Sequence, residues 1–306
     1  MSGNPLVSVL IPTFNGGEFV AQTLASVLRQ SHEHLEIIVS DDGSTDGTPE
    51  IVRQFEAEDD RVRLDAHENI GIFANPIRLL KAASSDLVKF VLQDDLLDPG
   101  CIEHLLSGMG SDQSIVMATS KRRIIDAAGH VCPDDASTTA IVQSSSRIPG
   151  ILLGDHLLET NCNRIGELST VLFRRNAVDA ERLWHFPGWY PKVNGDVALW
   201  LKLLAAGDAW YCAEELSSFR RHSGQFGQGP EIAVAGLLDW FHLIEGARTL
   251  GFLEVPSQER QALAVTLACA GATYASLMNH ADAPAILDAI DLTSGRLREL
   301  DLLPVT

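Results

Sequence analysis

The chain has 306 residues, 45% of them hydrophobic, so it is long enough for two domains or one large α/β domain and too apolar to be disordered throughout. Its 23 Lys and Arg residues stand against 41 Asp and Glu residues, which gives a formal net charge of −18. A field of this sign repels phosphate backbones and anionic lipid head groups, which argues against a general nucleic-acid or membrane-surface binder.

The five cysteines are scattered along the chain and include no C-x-x-C pair. Such a set predicts buried free thiols in a reducing compartment rather than a disulfide framework or a zinc site. The N-terminus lacks the basic and apolar regions of a secretory signal. The most apolar long stretch, residues 262–278, is short for a membrane span of about 20 residues and predicts a buried helix. We therefore expect a cytoplasmic protein, with peripheral attachment at the inner face of the membrane left open.

The first third of the chain alternates apolar runs with amphipathic segments. Strands are predicted at residues 6–11, 35–40, 61–64 and 87–92, and helices at residues 18–30, 49–58 and 73–83. Strand–helix–strand units of this length predict a parallel sheet with right-handed crossovers.

The middle of the chain is less regular, and its end is helical. Further strands are predicted at residues 114–120, 168–173 and 210–220, and helices at residues 196–205, 231–250, 257–278 and 284–300. The polar stretch at residues 134–146 predicts a loop, either an active-site lid or a plain surface loop. The three C-terminal helices have apolar faces, so we expect them to pack on the rest of the chain or on a second subunit.

Pairs of aspartates follow two of the apolar strands. Asp41 and Asp42 end the second strand, and Asp94 and Asp95 follow the strand at residues 87–92. Functional residues of open parallel sheets gather at the carboxyl ends of strands. Adjacent carboxylates repel each other unless a cation or a hydroxyl-rich ligand compensates them, and such oxygen ligands suit Mg²⁺ or Mn²⁺ together with substrate phosphates. A turn cap or a solvated loop would explain one pair, but the occurrence of two pairs at two strand ends favours a ligand site.

Several segments, in this order along the chain, resemble a family 2 glycosyltransferase of GT-A fold. The opening motif comprises VSVLIPTFN at residues 7–15 and LEIIVSDDGSTDGT at residues 35–48, followed by Asn69 and Gly71. Gln93-Asp94-Asp95 occupies the place of the family's DXD-type metal motif. The segment NGDVALWLKLL at residues 194–204 resembles the start of its "ED" helix, and FRRHSGQ at residues 219–225 resembles its Tyr-Arg-x-His-x-Gly segment.

The resemblance implies an α/β protein of GT-A fold. This is a Rossmann-like nucleotide-diphospho-sugar transferase with a mixed, mostly parallel sheet flanked by helices, here with a C-terminal helical extension. We expect a catalytic domain at residues 1–229 and a helical region at residues 230–306. Within the catalytic domain, residues 1–110 would form the nucleotide-binding half and residues 111–229 the acceptor half.

The resemblance also implies an inverting, metal-dependent glycosyltransferase. It would use Mg²⁺ or Mn²⁺ to move a sugar from a nucleoside diphosphate donor, with UDP or dTDP favoured, to a hydroxyl of a saccharide or lipid-linked saccharide. The setting would be synthesis of a bacterial surface polysaccharide or lipopolysaccharide. No nucleic acid partner and no transmembrane segment are expected, and a homo-oligomer through the C-terminal helices is left open.

Two alternatives remain at this stage. A sugar-nucleotide pyrophosphorylase would need an arginine in a Gly-rich loop after the first strand, but residues 12–17, PTFNGG, contain none. A catalytically degenerate scaffold protein that only binds a nucleotide sugar would not need Asp42, Asp95 and Asp196, all of which are present.

The resemblance assigns roles to individual residues. The nucleotide-binding group is Pro12, Thr13, Asn15, Asp41, Asp42, Asn69, Gly71 and Asp94. Asp95 and His222 would ligate the metal, Arg220 would approach the diphosphate, and Asp196 would be the catalytic base. An aspartate at the start of a helix is commonly an N-cap, which is the alternative for Asp196.

Basic residues outside these motifs receive weaker assignments. Pro76-Ile77 replaces an Arg-Asn pair that many family members carry, so Arg78 or Lys81 would have to substitute for it in donor binding. The basic clusters at residues 121–123 and 174–175 are predicted to be solvated faces, with acceptor binding as the weaker alternative.

Overall fold

The computed structural model describes residues 4–225, 229–281 and 283–301, and it divides into two compact units. Among these residues, unit 1 comprises residues 4–148, 164–183 and 206–222. Unit 2 comprises residues 149–163, residues 184–205 and the described residues from 223 to 301.

The helices and strands follow one another along the chain in this order. The first half contains β1 (Val7–Thr13), α1 (Val20–Leu28), β2 (Leu35–Asp41), α2 (Thr48–Glu58), β3 (Val62–Ala66), α3 (Ala74–Ala82), β4 (Leu87–Phe90), β5 (Leu96–Leu97), α4 (Cys101–Met109), β6 (Ile115–Ile125), β7 (Val131–Cys132) and β8 (Ser146–Ile148). The second half contains α5 (Gly150–Thr160), β9 (Leu172–Arg174), α6 (Gly195–Ala206), β10 (Asp208–Arg220), α7 (Pro230–Ala247), α8 (Pro256–Leu277) and α9 (Ala283–Asp301).

The strands of unit 1 form one mixed sheet in the order β3-β2-β1-β4-β9-β6-β10-β5, with β7 beside β6 and β8 beside β10. The four strands β1 to β4 pair in parallel, as do β6 and β10. Strand β9 lies between β4 and β6 and is antiparallel to both. The prediction of a mixed, mostly parallel sheet flanked by helices is confirmed.

The core of unit 1 explains why β1 and β2 could be predicted from the sequence. Both strands are buried along almost their whole length, which makes each a continuous apolar run rather than an alternating one. Helix α1 covers them with Val20, Leu24 and Val27, none of which is exposed. Each such side chain contributes about 1.5–3 kcal/mol through burial, so the strands that carry the site loops have a rigid base.

Two helices, α4 and α5, were not predicted. Each contains a glycine, which lowers helix propensity by about 1 kcal/mol relative to alanine. Close packing keeps these glycines: a Cβ on Gly108 would lie 2.0 Å from the Trp210 ring, and one on Gly154 would lie 2.2 Å from the Phe252 ring. The predicted strand at residues 168–173 starts as a short 3-10 turn, and only its end forms β9.

The prediction that the basic clusters are solvated was wrong for two arginines. Strand β6 continues past residue 120, and there Arg122 is only 2% exposed and forms an ion pair with Glu167 at 2.7 Å. Arg174 is buried on β9 and donates to the backbone carbonyls of Ile115 and Asp112. Burial lowers the pKa of the Arg174 guanidinium. Arginines inside a strand can be buried where carboxylates or backbone carbonyls accept hydrogen bonds from their N–H groups. The sequence pattern does not show those partners.

The C-terminal part of unit 2 is helical, as expected. The prediction that residues 262–278 form a buried helix was wrong, because only Ala262, Leu263, Thr266 and Ala270 of this range are buried. Helix α8 is joined to α9 by an ion pair between Glu259 and Arg296 at 2.8 Å, and a small apolar cluster around Leu237 and Ile286 links α7 to α9. Of the cysteines, Cys101 and Cys212 are buried, whereas Cys269 is exposed. Over the described ranges, no helix is both long and apolar enough to cross a membrane.

Candidate active site

The turn after β2 is held by Asp41. Its buried carboxylate accepts hydrogen bonds from Thr13 Oγ1 at 3.2 Å, from Ser44 N at 3.0 Å and from Ser44 Oγ at 2.6 Å. Thr13 and Asp41 are register partners at the ends of the parallel strands β1 and β2. Asp41 therefore links two neighbouring strand ends and shapes the turn that follows.

Asp42 organises the loop that follows β3. Its carboxylate accepts Ile70 N at 2.6 Å and Gly71 N at 2.9 Å, and Asn69 Nδ2 donates to the Asp42 carbonyl at 2.9 Å. Gly71 has a φ of +92°, which favours glycine. The structure thus brings together Asp42, Asn69 and Gly71. The Asp42 side chain is only 4% exposed, and its Oδ1 also lies 3.7 Å from His67 Nδ1.

The loop after β1 packs against the turn after β2. Asn15 adopts a φ of +50°; its backbone N–H donates to Ser44 Oγ at 2.8 Å, and its side-chain oxygen accepts Thr45 N at 2.9 Å. Pro12 is half-buried, and Phe14 is 48% exposed. The predicted pocket residues Pro12, Thr13 and Asn15 therefore set the backbone of this loop, while the exposed apolar surface belongs to Phe14.

Gln93 clamps Phe14, and our sequence interpretation missed this contact. Gln93 Oε1 accepts Phe14 N at 2.8 Å, and Gln93 Nε2 donates to Phe14 O at 3.2 Å. A Cβ on Gly16 would lie 2.3 Å from Gln93 Oε1, so the clamp requires glycine at that position. The sequence signal was a neutral amide directly before two aspartates, where the family often has a carboxylate or alanine.

Asp94 and His222 form the second polar cluster. Asp94 Oδ2 lies 2.9 Å from His222 Nε2, and the two side chains are 11% and 14% exposed. The His222 ring packs on Phe19, with 4.7 Å between ring centroids. These two residues come from the ends of β4 and β10 and meet at the same edge of the sheet as Asp42.

Asp95 points away from solvent into unit 1. It is fully buried, and its oxygens accept Ser169 Oγ at 2.5 Å and Arg220 N at 3.0 Å. Burial raises the pKa of Asp95 well above its usual value, and the nearby carboxyl groups of Asp94 and Glu167 add to the rise. Its hydrogen bonds make Asp95 a link between β10 and the segment that holds Ser169.

Arg220 is also fully buried. Its guanidinium donates to the backbone carbonyls of Asp94, Asp126 and Ala127 and to Gln22 Oε1, at distances of 2.8 to 3.3 Å. It also lies over the Phe19 ring at 4.7 Å. With its donors directed at the protein interior, this arrangement does not support the direct diphosphate contact predicted for Arg220. The side chain instead holds the main chain of the Asp94-Asp95 segment.

The fit of a divalent metal depends on the Asp94–His222 pair. Within the described ranges there is no cluster of three or more His, Cys, Asp or Glu side chains that could hold a metal ion. The carboxylate and the imidazole of this pair are nevertheless groups that a divalent ion can bind. Mg²⁺-like ions commonly take only one or two protein ligands and complete their shell with water and substrate phosphates. The chemistry of the two residues is therefore compatible with such an ion.

Asp196 lies in unit 2, in the first turn of α6 rather than at its N-cap, because the helix begins at Gly195. Its carboxylate is half-buried and accepts Asn163 Nδ2 at 2.8 Å and Val197 N at 2.7 Å. The Trp184 ring packs so closely on Gly195 that a Cβ there would lie 3.1 Å from it. The carboxylate is thus oriented by hydrogen bonds and retains access to solvent.

The two cations proposed to replace the missing Arg-Asn pair already have carboxylate partners. Arg78 binds Asp65 through two hydrogen bonds of 2.6 and 2.8 Å, and Lys81 pairs with Glu181 at 2.5 Å. These pairs do not support a donor contact from α3.

Comparison with known proteins identifies the family. The sequence profile described as Glycosyl transferase family 2 matches residues 8–142, which include the Asp42 and Asp94 loops. An uncharacterized protein of Mycobacterium tuberculosis, MT1568, is 31% identical over 232 residues, covering 72% of this chain and 68% of that protein. The chain belongs to glycosyltransferase family 2.

A second relative carries a specific enzyme name. The GalNAc(5)-diNAcBac-PP-undecaprenol beta-1,3-glucosyltransferase of Campylobacter jejuni is 36% identical over 104 residues, which cover 33% of this chain and 34% of that enzyme. The match is therefore limited to about a third of each protein.

Solved structures of other glycosyltransferases confirm the GT-A fold. Staphylococcus aureus TarS 1–349, solved in complex with UDP-GlcNAc, superimposes with a TM-score of 0.59 at 16% identity over 96% of this chain and 92% of that one. The Pyrobaculum calidifontis mannosyltransferase PcManGT, solved with GDP-Man and Mn²⁺, gives a TM-score of 0.56 at 17% identity over 98% and 85%.

Proposed function

We propose that this family 2 enzyme transfers a sugar, with inversion, from a nucleoside diphosphate donor to a hydroxyl of a saccharide or lipid-linked saccharide. The observation that carries the proposal is the Asp94–His222 pair, 2.9 Å apart at the sheet edge that also carries the Asp42 loop. A carboxylate and an imidazole beside these loops suit a metal ion bound to a diphosphate, and the ion would offset the negative charge of the protein there.

The nucleoside would bind over the loops after β1, β2 and β3. Phe14 and Ile70 are exposed apolar side chains, 48% and 47%, on the loops that Asp42 and Gln93 hold. An aromatic face suits a nucleobase ring, and the Asp42 carboxylate would accept a ring N–H. Uracil and thymine carry such an N–H and cytosine does not, which favours UDP or dTDP over CDP. The TarS complex with UDP-GlcNAc is consistent with this choice.

Asp94 and His222 would hold Mg²⁺ or Mn²⁺. The ion would stabilise the charge that grows on the diphosphate as the glycosidic bond breaks. We assign a supporting role to Asp95, because its carboxylate is buried and bonded to Ser169 and Arg220. The complex of PcManGT with Mn²⁺ supports the use of a divalent metal within this fold.

Asp196 would act as the general base that takes the proton of the acceptor hydroxyl. Its carboxylate is anchored by Asn163 but remains half-exposed, so an acceptor hydroxyl can approach it. General-base catalysis requires a carboxylate within hydrogen-bond reach of the attacking oxygen. Attack in a single displacement inverts the anomeric carbon.

We place the reaction in the synthesis of a bacterial polysaccharide. The support is membership of the family together with the Campylobacter relative, whose name specifies a lipid-linked saccharide acceptor. The sugar, the acceptor and the linkage are to be found by screening.

The metal assignment is tested by titrating UDP and dTDP into the protein with and without Mn²⁺. We expect Mn²⁺ to increase the affinity of the wild type for the nucleotide. In D94N and H222Q this increase should be smaller by a factor of at least about ten. The control variants are D112N and H104Q, which remove an aspartate and a histidine from exposed ion pairs of unit 1. Variants D94N and H222Q that behave like these controls would contradict the assignment.

The same titration discriminates between Asp94 and Asp95. If Asp95 is structural, D95N should lower the melting temperature and retain the effect of Mn²⁺. A D95N variant of normal stability that has lost the effect of Mn²⁺ would make Asp95 the ligand, as the sequence alone suggested.

A further inference from the structure

The segment at residues 184–194 leads into α6 and contains a tight turn. Phe186 N donates to Trp189 O and Trp189 N donates to Phe186 O, both at 3.0 Å, and Gly188 between them has a φ of +75°. Beyond the turn the chain runs to Asn194, whose carbonyl accepts the first hydrogen bond of the helix from Ala198 N at 3.1 Å. The position of this segment therefore fixes where α6 begins.

A single carboxylate on α7 binds this segment. Asp239 is fully buried, and its oxygens accept Trp189 Nε1 at 2.8 Å, Lys192 N at 3.0 Å, Val193 N at 2.8 Å and Asn194 N at 2.9 Å. Consecutive backbone N–H groups that converge on one carboxylate hold the chain in one conformation, because each donor would otherwise be left without its acceptor.

Other residues on the same face of α7 contact the segment. Asn194 Nδ2 donates to Gly236 O at 3.1 Å, and His242 stacks on the Trp189 ring with 3.7 Å between centroids. A Cβ on Gly246 would lie 2.5 Å from Pro187 O. Positions 236, 239, 242 and 246 follow the spacing of one helix face. The helix thus holds the segment along its length, with Asp239 at the centre.

Asn194, one of the residues that Asp239 binds, immediately precedes α6, and Asp196 lies in the first turn of that helix. Asn194 is fixed through its backbone by Asp239 and through its side chain by Gly236. Asp196 is two residues further on, and its carboxylate is oriented by Asn163 and Val197 N. A shift in the start of α6 would move this carboxylate relative to Asn163, and displacements of about 1 Å can reduce a reaction rate by about 10²-fold.

We propose that Asp239 is a positioning residue for sugar transfer, which acts through Asn194 to hold Asp196 where it can accept the proton of the acceptor hydroxyl. The proposal rests on the proposed role of Asp196 as the base. The C-terminal helical region then controls the transfer step and leaves nucleotide binding unchanged.

The test compares D239N with D155N, a matched control in the same unit. Asp155 is also a buried carboxylate, and it accepts Leu253 N at 2.8 Å and Gln258 Nε2 at 3.1 Å. For each variant we would measure kcat, acceptor KM, affinity for UDP with Mn²⁺ and melting temperature. The assay uses the UDP-sugar and octyl glycoside that the wild type converts fastest. We expect D239N to lower kcat by about 10- to 100-fold with UDP affinity within about twofold of the wild type, and D155N to lower only the melting temperature.

A double-mutant cycle separates positioning from a general structural effect. If Asp239 acts through Asp196, adding D239N to D196N should not lower the residual transfer rate further. A D239N effect that persists in full in the D196N background, or a D239N variant that behaves like D155N, would overturn the proposal.

A second variant keeps the test decisive if D239N does not fold. D239E keeps the charge and the acceptor oxygens but adds one methylene group, which shifts the oxygens relative to the N–H groups of Val193 and Asn194. We expect it to lower kcat with unchanged UDP affinity; a wild-type kcat would overturn the proposal. Failure of the underlying function looks different: D196N would then transfer sugar at the wild-type rate. An inactive D196N combined with fully active D239N and D239E would overturn the positioning role alone.

Discussion

Removal of the Gln93 clamp should weaken nucleotide binding by a predictable amount. In Q93A, Phe14 loses two hydrogen bonds, of 2.8 and 3.2 Å, to the Gln93 amide. A net protein hydrogen bond is worth about 0.5–1.5 kcal/mol, and because Phe14 is half-exposed, water can replace part of each. We therefore expect a total loss of about 1–2 kcal/mol, which corresponds to about 5- to 30-fold in the equilibrium constant between the clamped and the released loop.

The assay is titration of UDP in the presence of Mn²⁺. If only the clamped loop binds, the apparent Kd rises as the clamped fraction falls, so Q93A should bind UDP more weakly by more than twofold and by at most about 30-fold. The dependence on Mn²⁺ should be unchanged, since Asp94 and His222 are intact. Q113A, which alters an exposed glutamine before β6, is the control and should bind as the wild type does.

A second route to the same perturbation makes the reasoning refutable. In G16A the added Cβ would lie 2.3 Å from Gln93 Oε1 and should displace the Gln93 side chain. G16A should therefore bind UDP with the same affinity as Q93A. In the double variant the added methyl group has nothing to displace, so G16A should have no further effect on Q93A. Full additivity of the two substitutions, or a Q93A affinity within about twofold of the wild type, would refute the clamp.

Three further predictions concern stability. Burial acts to raise the pKa of Asp135, but hydrogen bonds lower it to about 2. The stabilisation by its carboxylate is therefore present above about pH 4 and lost as the pH falls toward 2. D135N should have a lower melting temperature than the wild type at pH 6 and the same melting temperature at pH 2. R122A breaks a buried ion pair and should cost about 3–5 kcal/mol in chemical denaturation, against about 0–1 kcal/mol for R53A in an exposed pair; equal losses would contradict the burial argument. G154A places a methyl group 2.2 Å from the Phe252 ring and should destabilise by about 1–3 kcal/mol, and an unchanged denaturation midpoint would show that the ring can move aside.

The parts of the fold that were predictable follow from local patterns. Strands β1, β2 and β4 lie in the middle of the sheet and are buried on both faces, so each appears as an apolar run. Helices α4 and α5 escaped prediction because their glycines are retained for contacts with residues distant in sequence, which no local pattern records.

The sequence suggests residues for the candidate site but not their arrangement. The motif order indicates Asp42, Asp94 and His222, yet only the structure shows that Asp94 meets His222 whereas its neighbour Asp95 turns inward. Adjacent residues after a strand face different ways, and sequence spacing does not show which of them faces the ligand. In the sequence, Asp239 stands out only as a carboxylate within the apolar run of α7. The groups that it binds are known only from the structure.

The most direct test of the account is transfer by D196N, measured together with UDP affinity and melting temperature on the same preparation. The substitution keeps the size of the side chain and removes the proton acceptor, and general-base catalysis is typically worth about 10²–10⁴ in rate. We predict transfer to an octyl glycoside reduced by at least about 10²-fold, with UDP affinity in Mn²⁺ and melting temperature close to the wild type. Near-normal transfer with a lowered melting temperature would contradict the account and leave Asp196 as a structural residue of α6.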